Sequence, residues 1–232
     1  MSCLHVLKPA IFMSIVNEMS PPPGQVPELL ARAAAGDRAA IVELLERYRP
    51  RLRRMVALRL DPRLQGRVDA SDVIQEGYLD AMRRLEEFIQ DPSVPFYIWL
   101  RFLVGQRLQK QHRRHLGTPG RDAGREVSIY RGAMPGASTG ALAARLVGKL
   151  TSPSQAALRA ERRRMLQDAL NRMDSLDREI LVLRHYEQMT NGDAAAALGL
   201  SHPAASMRYF RALERLQEIL VTLPGGAREE GP

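Results

Sequence analysis

Apolar residues recur at spacings of three and four along nearly all of this 232-residue chain, and the pattern lapses most completely between Gly117 and Gly140. A period near 3.6 lets a helix bury one stripe of side chains; a half-buried strand would alternate every second residue. The lapse holds six Gly and two Pro, the composition of a linker. The expected fold class is therefore all-α, with two small helical domains joined by a flexible linker. Ala alone supplies 28 residues, which agrees with helix throughout.

Punctuation residues set the expected elements. Gly36 stops a short helix carrying Leu29, Leu30, Ala33 and Ala34, and Asp37 is a plausible N-cap for a longer one through Val56. Pro50 lies inside that second pattern and should kink it. A third helix is expected from Ser71 to Ile89, with Val73, Ile74, Leu79, Met82 and Leu85 as its apolar positions, and a fourth from Phe96 to Leu116. Ala141 to Leu150 is a candidate short helix within the linker, and regular helix resumes at Ser154. The expected boundaries are a disordered tail over 1–24, a first domain over 25–117, a linker over 118–153, a second domain over 154–223 and a polar tail over 224–232.

Several classes are excluded. A single cysteine, Cys3, permits neither an internal disulfide nor a thiolate metal cluster. No run of 18 apolar residues exists to span a membrane. The first twenty residues carry Lys8, Pro9, Asn17 and Glu18 without a small-residue cleavage site, so they read as a tail, or as sequence ahead of a later start at Met13 or Met19, rather than a signal peptide. The expected location is the cytoplasm. The formal charge is +8, and 31 of the 34 cations are Arg. A GC-rich genome accounts for the Arg bias equally well, but the net charge itself favours a polyanionic partner.

Thr190 to Leu216 has the layout of a helix-turn-helix. Thr190 can cap its first helix, with Asp193 completing a capping box. Ala195 suits a close approach of two helices, and Gly199 sits where the turn needs positive φ. Ser201 caps the second helix, and Pro203 is tolerated in its first turn. A recognition helix enters the major groove by its N-terminal part, so Ser201, His202, Ala205, Ser206, Arg208, Tyr209 and Arg211 are the candidate contacts. Arg suits bidentate bonds to guanine or phosphate.

Phe96 to Leu116 combines four of the twelve aromatic residues, within its first seven positions, with five cations from Arg101 onward and no acid. Arg107, Lys110 and Arg114 fall on one helical stripe. Phosphate-holding cations beside aromatic faces are what melted DNA requires, which makes Trp99, Arg101, Arg107, Lys110, Arg113 and Arg114 candidate contacts. For Trp99 and Phe102 a core role weighs more than base stacking. His112 and His115 are helix neighbours, but no Cys, Asp or Glu lies near them in sequence, so no metal is expected. Ahead of this stretch, Asp72, Gln75, Glu76 and Asp80 form an acidic face on a basic protein, which suits a protein partner better than DNA.

In this order the pieces resemble a bacterial RNA polymerase sigma factor of the extracytoplasmic function (ECF) group, over roughly Pro27 to Leu116 and Ser154 to Leu223. DVIQEGYLDAMRRL resembles the family segment that grips the coiled coil of the polymerase β′ subunit. PFYIWLRFLVGQRLQKQHRRHL is similar to the helix that melts and reads the −10 element. LNRMDSLDREILVLRHYEQMT with the helix-turn-helix is similar to the domain that reads the −35 element and touches the β-flap. Arg208 and Arg211 match the family's recognition helix, whereas Pro203 to Ser206 depart from its usual G-T-V-K-S. The residues around Arg121 to Glu126 and SHPAASMRYFRAL resemble planctomycete members. The resemblance implies core RNA polymerase and promoter DNA as partners, an anti-sigma factor as a further candidate, no cofactor, and no catalysis by the chain itself. An autonomous helix-turn-helix regulator and an RNA-binding adaptor are the other readings the residues admit.

Overall fold

The computed structural model describes residues 25–116, 134–148 and 156–223, and every regular element among them is helical. Helix α1 (Gln25–Ala34) ends at Gly36, whose φ of +85° is open to glycine without a Cβ penalty. Asp37 then caps α2 (Arg38–Arg59), accepting from the Ala39 and Ala40 amides at 2.9 and 3.2 Å. Pro50 lies within α2 and does not end it. A short 3₁₀ turn over Pro62–Leu64 leads to α3 (Ala70–Gln90), which Asp69 caps, and α4 (Phe96–Leu116) follows.

Helices α3 and α4 form an antiparallel hairpin at close range. Gly77 makes this possible: a Cβ there would lie 2.5 Å from Val104 Cγ2 and 3.0 Å from Val104 Cα. The buried stripe of α3 is Val73, Ile74, Gly77, Tyr78, Ala81, Leu85 and Phe88. Leu79 and Met82, expected on that stripe, are each 54% exposed. The small Gly77 and Ala81 occupy the inner line instead, because bulky residues there would push α4 away. At the turn end Phe88 stacks on Trp99 with centroids 4.6 Å apart, and Phe96 packs against both.

Part of the expected linker is folded. Helix α5 (Thr139–Gly148) buries Leu142, Ala143 and Val147, the Ser138 amide donates to the Leu58 carbonyl at 3.0 Å, and Thr139 bonds Asn171 on α6 (Ala156–Arg172). Residues 134–148 thus lie against both halves of the chain rather than hanging between them. Asp174 caps α7 (Ser175–Leu181), which runs into a π-helical turn over Val182–Tyr186, where the Glu187 amide donates to the Val182 carbonyl. Gln188, at φ +55°, redirects the chain into α8 (Asn191–Leu198) and α9 (His202–Thr222). The buried apolar residues of the two halves form one continuous cluster. No described helix is long and apolar enough to cross a membrane. The expected tails, Cys3 and the segment Arg121 to Glu126 lie outside the described residues.

Candidate docking and nucleic-acid surfaces

The acidic face of α3 divides in two. Asp72 and Gln75 lie on the open side of the helix, which they share with exposed Leu79. Glu76 and Asp80 are half-buried and turn toward α4. The Asp80 carboxylate accepts two hydrogen bonds from the Arg107 guanidinium; Glu76 lies 3.8 Å from Arg107 and accepts from Gln111 at 3.2 Å. The bond to Asp80 raises the Arg107 pKa. What remains open on α3 is a mixed polar and apolar strip.

The cations of α4 have unequal fates. Lys110, Arg113 and Arg114 are exposed on its C-terminal turns. Arg107 is tied to Asp80, and Trp99 is only 6% exposed within the aromatic cluster, so no base can stack on it in this conformation. Arg101 is 3% exposed and faces the second half of the chain, away from solvent. His112 accepts a hydrogen bond from the Asp61 amide, and burial lowers its pKa against the opposing pull of Asp61. No metal-holding cluster is present among the described residues.

Arg101 belongs to a buried ionic cluster. Its Nε and Nη2 donate to Glu187 at 2.7 and 3.0 Å, and its Nη2 lies 3.5 Å from Glu179. Arg59, with a fully buried side chain, pairs with the same two carboxylates. Arg51 packs over the Tyr97 ring at 3.8 Å and lies 3.9 Å from Asp193. Burial works against the charge on both Arg101 and Glu187. Their mutual attraction outweighs it, raising the Arg101 pKa and holding the Glu187 carboxyl below its usual range. The Tyr97 hydroxyl, enclosed beside them, is pushed up to about 12, chiefly by burial. Removing one member of such a pair costs roughly 3–5 kcal/mol, because it leaves a buried charge uncompensated. Local periodicity could not reveal this cluster; its only sequence trace is Glu187 inside an otherwise apolar and basic segment.

The helix-turn-helix forms as its caps require. Thr190 Oγ1 accepts from the Asp193 amide at 3.0 Å, Gly199 adopts φ +64°, and Ser201 Oγ accepts from the Ala204 amide. The Asp193 carboxylate faces Arg51 instead of returning to the cap. Ala194, Ala195 and Ala197 are buried, which lets α8 and α9 approach closely. Of the expected contacts on α9, Ser201, His202 and Arg211 are exposed and Ser206 is half-buried. Ala205 is fully buried in the α8–α9 packing, and Tyr209 turns inward to bond His185 at 3.2 Å, so neither offers a groove contact here. Arg208 is held by Asp177 at 2.6 Å. Met207 and Phe210, each more than half exposed, occupy the open side beside Arg211 and were not anticipated. Their spacing of i, i+3 and i+4 was the available signal.

Comparison with known proteins locates the same two regions. The Sigma-70 region 2 family model matches residues 44–116, and the Sigma-70 region 4 model matches residues 163–216. The ECF RNA polymerase sigma factor SigD of Mycobacterium tuberculosis is 28% identical over 196 residues, covering 83% of this chain and 82% of its own. The RNA polymerase sigma factor CnrH of Cupriavidus metallidurans is 30% identical over 195 residues, covering 83% of this chain and 92% of its own. The solved structure of CnrH in complex with the cytosolic domain of CnrY aligns over 83% of this chain and 94% of that one, at 23% identity and a TM-score of 0.47. With both regions matched in order and similarity running through most of each relative, the chain belongs to the ECF-type RNA polymerase sigma factors, which direct core polymerase to promoters.

Proposed function

We propose a division of labour among the residues of this sigma factor. Residues 25–117 act as the core-binding and −10-reading domain, 118–153 as the connection, and 154–223 as the −35-reading domain. Core polymerase docks through its β′ coiled coil on Asp72, Gln75 and Leu79, with Glu76 and Asp80 at the edge of the footprint. Lys110, Arg113 and Arg114 hold phosphates of the melted −10 strand, Arg107 joining them once Asp80 releases it. Arg208 and Arg211 enter the −35 major groove beside Met207 and Phe210, and the β-flap meets the same domain. An extruded base costs a few kcal/mol to unstack, and phosphate contacts along α4 offset it. An anti-sigma factor is a further partner; the relative CnrH is known in complex with the cytosolic domain of CnrY. The chain acts in the cytoplasm as a non-catalytic subunit, and the SHPAASMRYFRAL segment supports a planctomycete type.

The observation that carries this reading is the α3–α4 hairpin, which presents an open Asp72–Gln75–Leu79 strip on one helix and exposed cations on its partner. Runoff transcription with purified core polymerase tests it. The expected result is core-dependent initiation that Asp72→Arg with Leu79→Arg abolishes while helicity is retained. Tight promoter-duplex binding by the chain alone, with no polymerase-dependent product, would refute it.

A further inference from the structure

The open line along the N-terminal half of α9 is apolar. At about 100° per residue, Pro203, Met207 and Phe210 fall within about 60° of one another. All three are exposed, Met207 by 53% and Phe210 by 56%. The Phe210 ring meets Tyr209 edge-on, with centroids 5.6 Å apart, so it rests against the helix surface. The charges that α9 places around this line are of one sign. Arg211 flanks it as an exposed cation, Arg208 lies further round in contact with Asp177, and no acid occurs from His202 to Leu213. Glu214 is the next residue on the line, one turn beyond Phe210, where a carboxylate repels a phosphate backbone. The cationic, apolar stretch therefore ends there.

Phosphate contact explains the arginines but not two large apolar side chains between them, which offer a base edge no hydrogen-bond donor. The apolar group that a base pair presents in the major groove is the C5 methyl of thymine. We propose that Met207 and Phe210 read thymine methyl groups, so that α9 selects T·A pairs by apolar contact while its arginines hold phosphate or a neighbouring base. This rests on the assignment of α9 to the −35 groove. From Pro203 to Phe210 the line is about 10 Å long at about 1.5 Å per residue, against about 3.4 Å per base step. The thymines it reads should therefore fall within about three consecutive base pairs.

The test removes the methyl and nothing else. Holoenzyme assembled from the full chain and core polymerase selects promoters from a library of random duplexes. Each thymine in the −35 segment of a recovered promoter is then replaced in turn by deoxyuridine, which keeps the O4 acceptor and the base pairing, and binding is read by anisotropy. Loss of one buried methyl should weaken binding about fourfold at the thymines that are read. Met207→Ala with Phe210→Ala changes only exposed side chains, and in that variant the thymine and deoxyuridine promoters should bind equally. Arg211→Ala should weaken binding to both promoters alike and leave their ratio intact. Deoxyuridine tolerated at every −35 position would overturn the proposal. So would an unchanged ratio in the double Ala variant, and loss of core association alongside it would assign the pair to a polymerase contact instead. A library that yields no enriched −35 segment would refute the −35 assignment itself, and the methyl contact with it.

Discussion

Replacing Gly77 by Ala should destabilise the protein, although the same change on an open helix face would stabilise it. The propensity gain is about 0.5–1 kcal/mol, because Ala loses less backbone freedom than Gly on entering a helix. Against it stands the crowding with α4: the new Cβ would lie 2.5 Å from Val104 Cγ2 and 3.0 Å from Val104 Cα. Carbon atoms pack at about 3.5–4.0 Å, so about 1 Å or more of overlap must be relieved at the methyl. Val in a helix is nearly confined to one rotamer, and no rotation moves its Cα, so the helices themselves must separate. Overpacking of this kind costs about 1–3 kcal/mol. The net expectation is a loss of about 1–2 kcal/mol, or a Tm lower by about 2–8 °C by calorimetry. Val104→Ala placed beside Gly77→Ala removes the methyl clash but leaves the new side chain pressed on the α4 backbone, so the pair should be less destabilised than the sum of the single changes. A Gly77→Ala protein as stable as the parent, or more so, would refute the close-approach argument.

Three further outcomes are expected. Gly199→Ala forces an L-residue to φ +64° in the helix-turn-helix and should cost about 1–2 kcal/mol by denaturant titration, with no change in α1–α4. Arg208→Ala should weaken −35 duplex binding in the holoenzyme by about 1–3 kcal/mol by anisotropy, while Asp177→Asn, which frees that arginine, should strengthen it. His112 titrates below its ordinary value of 6.5 in the folded chain. The folded form therefore binds its proton less readily, and the stability this contributes is complete above pH 6.5 and lost as pH falls through the lowered value. His112→Gln should flatten that part of the pH–stability profile.

Local signals were readable because their physics is local. Asp37, Thr190, Ser201 and Gly199 each act within four residues of themselves, and each does in the structure what its residue type suggests. Apolarity misled at Leu79 and Met82, because a hydrophobic side chain can mark either a core or a docking strip, and only the neighbouring helix decides which. The fate of the arginines was least legible. Arg59 meets Glu179 across 120 residues and Arg101 meets Glu187 across 86, separations over which no periodicity carries information. Arg101 thus read as one more cation on a basic helix, when its position on the inward side of α4 makes it part of an interface.

The π-helical turn at Val182–Tyr186 limits how the chain can vary in length. Each residue of a helix advances it by about 100°, so one residue more or fewer in this turn rotates everything downstream by more than a quarter-turn. Glu187 follows the turn directly, and α8 and α9 hang from it. Deleting one residue here would swing the Glu187 carboxylate off the line to Arg59 and Arg101, and re-aim the whole helix-turn-helix relative to α4. A loop would absorb such a change by bending; this turn transmits it as a rotation. Sequence length through Leu181–Thr190 is therefore as much a determinant of this protein's architecture as the side chains it carries.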